Sequence, residues 1–308
     1  MLYKFQQRIK PWWFKIWCGQ ILSTPPIQTK EGRVWIVSMV SHSDLTMYLV
    51  AVKSLYSHLG EGQIVVLNDG TLTSADIEVL YKHLSNPQII TADDVKSDKC
   101  PRGGCWERLL SIAKYVGERY IVQLDSDTLT LSGIPEVVSA IKENCSFTLG
   151  TSMGRYISPM RNVFQQMKDI KSDHVQVIAE QNFNKLRDYA QLKYVRGSAG
   201  FAGFAQGAFP RSKVEEFSLE MEDIVGKVWA SWGSEQVASN FLVANSPRAH
   251  VLPYPKYSNY TLDTLCEKNA FLHFIGTYRF RKGVYIGKAQ DTIKKLKIAG
   301  SERISEFH

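Results

Sequence analysis

The sequence predicts an α/β protein with a mostly parallel central sheet and helices on both faces. Two observations carry that class. Short apolar runs of strand length alternate with segments of helical spacing, and polar residues with carboxylates or amides fall just after the runs.

Val34 to Val40 reads as a buried strand, and Asp44 to Leu59 follows with Leu45, Tyr48, Leu49, Val52 and Leu55 at helical spacing, so a βα unit opens the fold. Gln63 to Leu67 is the second strand. It ends in Asn68-Asp69-Gly70, after which Thr73 or Ser74 can cap a helix containing Ile77, Leu80 and Leu84. Gln88 to Ile90 supplies a third strand. A helix over Trp106 to Val116 leads into the apolar run Tyr120 to Leu124, and Pro135 stands in the first turn of a helix from Ile134 through Ile141. After Phe147 to Gly150 the pattern loosens. Residues 151–195 are polar with helical pieces, such as Val175 to Tyr189, and would cover a site. Beyond them come the small-residue run Arg196 to Gly203, the segment Trp232 to Asn240, and a basic helix with Lys288, Lys294, Lys295 and Lys297. The expected organisation is an arm over residues 1–30, a domain over 31–287 and a tail over 288–308.

Ligands of such sheets bind beyond the carboxyl ends of the strands. Asn68, Asp69, Asp125 and Asp127 all fall at such ends, on one rim. Asp125 and Asp127 flank Ser126, and on extended backbone residues i and i+2 project to the same side, so both carboxylates can reach one cation. By itself the pair also suits a strand end entering a turn. A second motif, Leu272-His273-Phe274-Ile275-Gly276-Thr277-Tyr278-Arg279, offers an imidazole, a glycine and a guanidinium at intervals of three. By itself, His273 fits a buried core histidine. With the two carboxylates it makes a mixed donor set that tilts preference from magnesium towards manganese. Gly276 would let backbone N–H groups approach phosphate, and Arg279 can grip phosphate bidentately.

The chain has 308 residues, 44% of them hydrophobic, which is ordinary for a globular protein and excludes a disordered one. Its net charge of +7 suits anions: a nucleotide diphosphate, an anionic membrane surface or nucleic acid. No RNA-binding signature, zinc-finger spacing or long basic helix is present, so nucleic acid is not expected as a partner. Five scattered cysteines without metal spacing fit a reducing compartment, with Cys100 and Cys105 on a reduced loop. No run reaches the roughly 18 to 20 apolar residues of a membrane span. In the arm, Lys15 interrupts the apolar residues and tryptophans crowd them, unlike a secretory signal, so a cytoplasmic location is expected. Two readings of the arm stay open. Trp12, Trp13 and Trp17 with Lys4, Arg8, Lys10 and Lys15 resemble an interfacial anchor, peripheral on the inner face of a membrane, or the aromatics pack on the domain.

The ordered motifs resemble those of the family 8 glycosyltransferases, retaining enzymes of the GT-A fold that use a nucleotide sugar and manganese. The likeness spans roughly residues 34–287 and rests on Asp125-Ser126-Asp127, then Ser198-Ala199-Gly200, then Glu235-Gln236 with Asn240, then His273-Phe274-Ile275-Gly276 with Arg279. It implies that Asp125, Asp127 and His273 hold the metal, manganese with magnesium as substitute, and that Gly276 and Arg279 clamp the diphosphate. It implies a donor-binding role for Arg108, which on its own would be a solvated helix cation. Ser41 and Asp44 match the region that holds base and ribose, Asn68 and Asp69 a further nucleotide-side loop, and Ser198 and Gly200 the strand beside the donor. Glu235 and Gln236 look like the acid-amide pair beneath the sugar ring, where an oxygen stabilises positive charge at the anomeric carbon. The plain alternative is that Glu235 caps a helix from Gln236 to Leu242. The chain departs from the pattern at Arg279-Phe280-Arg281, where the family has Lys-Pro-Trp, and at Val237, where it often has Asp. The resemblance implies a UDP-sugar donor and a glycan or glycolipid acceptor. Two rival readings are a non-catalytic membrane scaffold with a vestigial site and a sugar nucleotidyltransferase. The latter wants a glycine-rich basic loop where Ser41-His42-Ser43-Asp44 stands.

Overall fold

A computed structural model describes residues 12–30 and 32–305, with the backbone alone from 301 onward. Lys4, Arg8 and Lys10 of the arm lie outside the described residues. In chain order the elements are β1 (Val34–Val40), α1 (Leu45–Leu59), β2 (Gln63–Asn68), α2 (Ser74–Leu84), β3 (Gln88–Thr91), α3 (Trp106–Tyr115), β4 (Tyr120–Leu124), β5 (Thr128–Thr130), α4 (Pro135–Lys142) and β6 (Phe147–Leu149). There follow β7 (Ser158–Pro159), α5 (Met160–Met167), α6 (Val175–Glu180), β8 (Lys193–Tyr194), β9 (Ser198–Phe204), α7 (Arg211–Val225), α8 (Ser234–Ala244), β10 (His250–Val251), β11 (Tyr257–Asn259), β12 (Phe271–His273) and α9 (Val284–Ser305). The alternation is that of the expected α/β class.

The chain divides into two units. The first takes the described parts of Met1–Ile90, Leu124–Pro135 and Pro255–His308. Its strands β1, β2 and β3 are neighbours in that order, β1 and β2 running parallel with Val40 opposite Asn68. Strand β1 is apolar throughout except Ser38, with Val34, Ile36, Val37 and Val40 buried and Trp35 and Met39 half-buried. Helix α1 is buried along most of its length and stops at Gly60, whose φ of 76° ends the helix. Thr73 caps α2 in a reciprocal capping box with Asp76. A smaller sheet runs β11-β12-β5, with β12 parallel to β11 and antiparallel to β5.

The second unit comprises Thr91–Gln123 and Glu136–Tyr254. Its strands lie in the order β10-β6-β9-β4, with β6 parallel to β10 and antiparallel to β9. Gly203 of β9 faces Phe147 across the ladder, and a Cβ there would stand 2.2 Å from the Phe147 ring, so a larger residue would collide with that ring. Phe217 of α7 stacks on Phe241 of α8 with ring centroids 3.9 Å apart.

Three expectations are corrected. The helical piece expected from Val175 to Tyr189 stops at Glu180 and gives way to a 3-10 turn over Phe183–Lys185. Helix α4 begins at Pro135, not Ile134, which places the proline at the helix's first residue, where its missing N–H costs least. The third, the plain alternative of Glu235 as a helix cap, is described with the site.

Candidate active site

Within the first unit, the small sheet assembles the candidate metal site. Asn259 of β11 pairs in register with His273 of β12, and His273 pairs in register with Thr128 of β5. A row of three strands therefore sets Asn259, His273 and the residue after Asp127 side by side. The His273 Nδ1 lies 3.0 Å from Asn259 Oδ1, and its Nε2 lies 3.2 Å from Asp127 Oδ1 and 3.7 Å from Asp125 Oδ2. An amide oxygen only accepts, so Nδ1 carries the proton donated to Asn259, which leaves the Nε2 lone pair for a cation once Nε2 loses its own proton. Thr128 Oγ1 donates to the Asp125 carbonyl at 2.8 Å, and the Phe274 N–H donates to the Asp127 carbonyl at 2.8 Å, so the backbone around both acids is tied.

The ligand atoms of Asp125, Asp127 and His273 lie within 4.8 Å of one another, the two last residues buried. Two carboxylates and an oriented imidazole fit a divalent ion of borderline hardness. The carboxylates, the imidazole and the Arg279 guanidinium also act on one another. Burial by itself would raise the Asp127 carboxyl, but the His273 and Arg279 charges outweigh it and hold the group well below the usual carboxylate range. Burial would lower the His273 imidazole, and Asp127 and Asp125 reverse that and raise it.

Arg279 has partners within the protein. Its Nη2 donates to Asp127 Oδ2 and its Nε to the Phe274 carbonyl at 3.2 Å, so the guanidinium is a partner of one carboxylate of the candidate metal cluster. Gly276 is exposed, and a Cβ there would meet nothing within 4 Å, so the protein itself does not demand glycine. At the end of β1, Ser41 Oγ donates to Asp44 Oδ2 at 2.7 Å. Burial raises the Asp44 carboxyl above its ordinary value, opposed by Ser41 and Arg279 and reinforced by Asp127 and Asp69, so Ser41 and Asp44 share an electrostatic neighbourhood with Asp127. Asn68 Oδ1 accepts from the Gly70 N–H at 2.8 Å and Asp69 Oδ1 from the Thr71 N–H at 2.9 Å, each closing its own turn.

Within the second unit, α3 and α8 bring Arg108 and Glu235 together. Arg108 Nη2 lies 3.2 Å from both Glu235 carboxylate oxygens, and both side chains are buried. Arg108 is thus no solvated cation. Nor does Glu235 cap α8: the helix starts at Ser234, its cap position is Gly233 at φ 105°, and Glu235 lies inside the first turn, committed to Arg108. Beside it, Gln236 Oε1 accepts from the Ala199 N–H of β9 at 3.2 Å, and Gln236 Nε2 donates to Gln176 Oε1 at 3.2 Å. Gln176 Nε2 in turn donates to the buried Glu180 carboxylate at 3.1 Å, and Arg196 Nε bonds the same carboxylate at 3.0 Å. This relay fixes which end of the Gln236 amide faces the strand. Ser198 and Gly200 lie on β9 either side of Ala199, and Ser198 is buried opposite Leu149.

Reading from sequence missed Asn259, Gln176 and Glu180. Asn259 lies 14 residues before His273, with no spacing rule to join them; only the β11–β12 register does so. Gln176 and Glu180, at i and i+4 on one helix, carried a local signal but no pointer to Gln236.

No protein-family model and no curated protein sequence matches the chain. Solved structures do. The chain is similar to the galactosyltransferase LgtC in complex with donor and acceptor sugar analogs, at TM-score 0.50 and 12% identity, over 85% of this chain and 95% of that one. It is similar also to the apo form of the bifunctional glycosyltransferase WbbM, at TM-score 0.50 and 12% identity over 87% of this chain, and spans half the length of that protein. The fold is therefore that of the GT-A glycosyltransferases.

Proposed function

We propose that the chain is a metal-dependent glycosyltransferase that moves a sugar from a nucleotide diphosphate sugar to a hydroxyl acceptor with retention. The observation that carries the reading is the Asp125, Asp127 and His273 cluster with Arg279 against it, in a GT-A fold. Asp125, Asp127 and His273 would hold a divalent ion, manganese by donor type, which supplies a Lewis acid for the departing diphosphate. Arg279, which donates to Asp127 Oδ2, would also be placed to bind a diphosphate oxygen bidentately beside a cation held by that carboxylate. Asn68 and Asp69, with Ser41 and Asp44, serve the nucleoside, and Gly276 leaves room for phosphate at its backbone.

As the bond from the anomeric carbon to the diphosphate oxygen breaks, positive charge develops on the sugar, and the Gln236 amide oxygen stabilises it. Glu235 holds Arg108, and this pair, with Ser198 and Gly200, is assigned to the sugar. The acceptor oxygen bonds to the same face of that carbon, and its proton passes to a leaving phosphate oxygen, so no separate base is needed. A UDP-sugar is the proposed donor and a glycan or glycolipid of the cell surface the proposed acceptor, in line with the sugar analogs that LgtC binds.

The test is nucleoside diphosphate release from a panel of nucleotide sugars, with manganese or chelator, using the parent protein and the Asp125→Ala and His273→Ala variants. Release that requires the metal and both residues supports the reading. Absence of release and of metal-dependent donor binding would leave a non-catalytic scaffold, and formation of nucleotide sugar from a nucleoside triphosphate would make it a nucleotidyltransferase.

A further inference from the structure

Residues 12–18 form a helix that is apolar nearly all round, yet it buries one face only. Phe14 and Cys18 are fully buried, Phe14 against Tyr285 with ring centroids 4.6 Å apart. On the opposite face, Trp12 is 58% exposed, Trp13 47%, Ile16 54% and Trp17 52%. These positions, i, i+1, i+4 and i+5, form one stripe, and Leu22 of the following 3-10 turn is exposed as well. Helix α9 runs beside this segment. Gln290 Nε2 donates to the Trp17 carbonyl at 3.2 Å, and Lys297 Nζ donates to Gln20 Oε1 at 3.1 Å. Gln290, Lys294 and Lys297 share a face at i, i+4 and i+7, so that face runs from the end of the tryptophan helix to the 3-10 turn that follows it, with Ile298 exposed next to Lys297.

We propose that this surface docks on an anionic lipid bilayer, indoles at headgroup depth and Lys15, Lys294 and Lys297 over lipid phosphates. The charge pattern favours a bilayer over a protein partner. Residues 12–30 contain no carboxylate, and α9 up to Gly300 sets the single acid Asp291 against four lysines. Tryptophans presented in a stripe with cations at the flank match the headgroup layer, where an amphipathic ring is stable and the surface potential is negative. This docking is independent of the transferase reading.

Flotation of the full chain with phosphatidylcholine vesicles, with and without about 30% phosphatidylglycerol, tests it, alongside tryptophan emission. The parent should float with anionic vesicles, with a blue shift, and at about 0.5 M salt lose at least about tenfold in partitioning. Trp13→Ser with Trp17→Ser, and Lys294→Glu with Lys297→Glu, should each cut partitioning at least about tenfold, while Leu265→Ser, an exposed apolar residue elsewhere on the same unit, should not. Circular dichroism and nucleoside diphosphate release should be unchanged in all variants. The proposal is overturned if the parent does not float, if neutral vesicles bind it as well, or if light scattering shows a dimer that the tryptophan variant dissociates.

Discussion

His273 stands where two opposing demands meet. Its ring faces two carboxylates, which favour the protonated form, whereas a metal ligand would have to be neutral. Its raised pKa contributes stability that is complete below the ordinary imidazole value of about 6.5 and is lost as pH rises through the raised one. Asp127 has the opposite sign: its contribution is complete above the ordinary value of about 3.9 and is lost as pH falls through the lowered one. A cation must displace the His273 proton, so manganese affinity should climb as pH rises through neutrality and level off once His273 is neutral. Calorimetry in two buffers of different ionisation heat should read about one proton released per ion near pH 6; binding with no proton release there would refute the assignment of His273 as a ligand. Asn259→Ala should weaken manganese about 10 to 100-fold, because the ring loses the acceptor that fixes its tautomer. An unchanged affinity would reduce Asn259 to packing.

Between elements, the tie of α3 to α8 is a buried ion pair that sequence assigned to two separate tasks. Removing one partner leaves a buried charge, so Arg108→Met should cost about 3–5 kcal/mol in urea unfolding. The double variant Arg108→Met with Glu235→Leu should recover most of that loss and still fail to transfer sugar. Recovery of activity together with stability would make the pair structural alone. The same logic explains why α8 starts where it does. Gly233, at φ 105° and with a Cβ position 3.0 Å from His174 Cε1, turns the chain so that Glu235 enters the first turn facing Arg108 rather than capping the helix.

For the molecule as a whole, the proposed function requires a cation and a nucleotide that bind the folded state, and such ligands should stabilise it by mass action. Manganese with UDP at about 100 times the dissociation constant is worth about 2.7 kcal/mol, and should raise the melting temperature by about 3 to 5 °C in a chain of this size. Chelator or Asp127→Ala should erase the shift. A shift that survives Asp127→Ala would show nucleotide binding independent of the acid pair.

Much of this was legible beforehand. The strands β1, β2 and β4, the helices α1 to α3, and the acids at the strand ends follow from apolar runs, helical spacing and capping residues, which are local properties of the chain. Residues 151–195 were not legible, because short helices and two-residue strands such as β7 and β8 take their structure from what they pack on rather than from propensity. Among the described residues no helix is long and apolar enough to cross a membrane, in line with the hydropathy of the sequence.

The types and order of the site residues were thus set by sequence alone: two acids after an apolar run, an imidazole before a glycine and an arginine, and an acid-amide pair on a helix. Their partnerships were not. That Asn259 orients His273, that Arg279 holds Asp127, that Glu235 binds Arg108, and that Gln176 orients Gln236 depend on strand register and helix packing across gaps from 14 to more than 100 residues. The fate of the tryptophans was likewise decided by folding. Periodicity shows that residues 12–18 are apolar, but only packing against α9 and Tyr285 selects which face is buried and which is left to meet another surface.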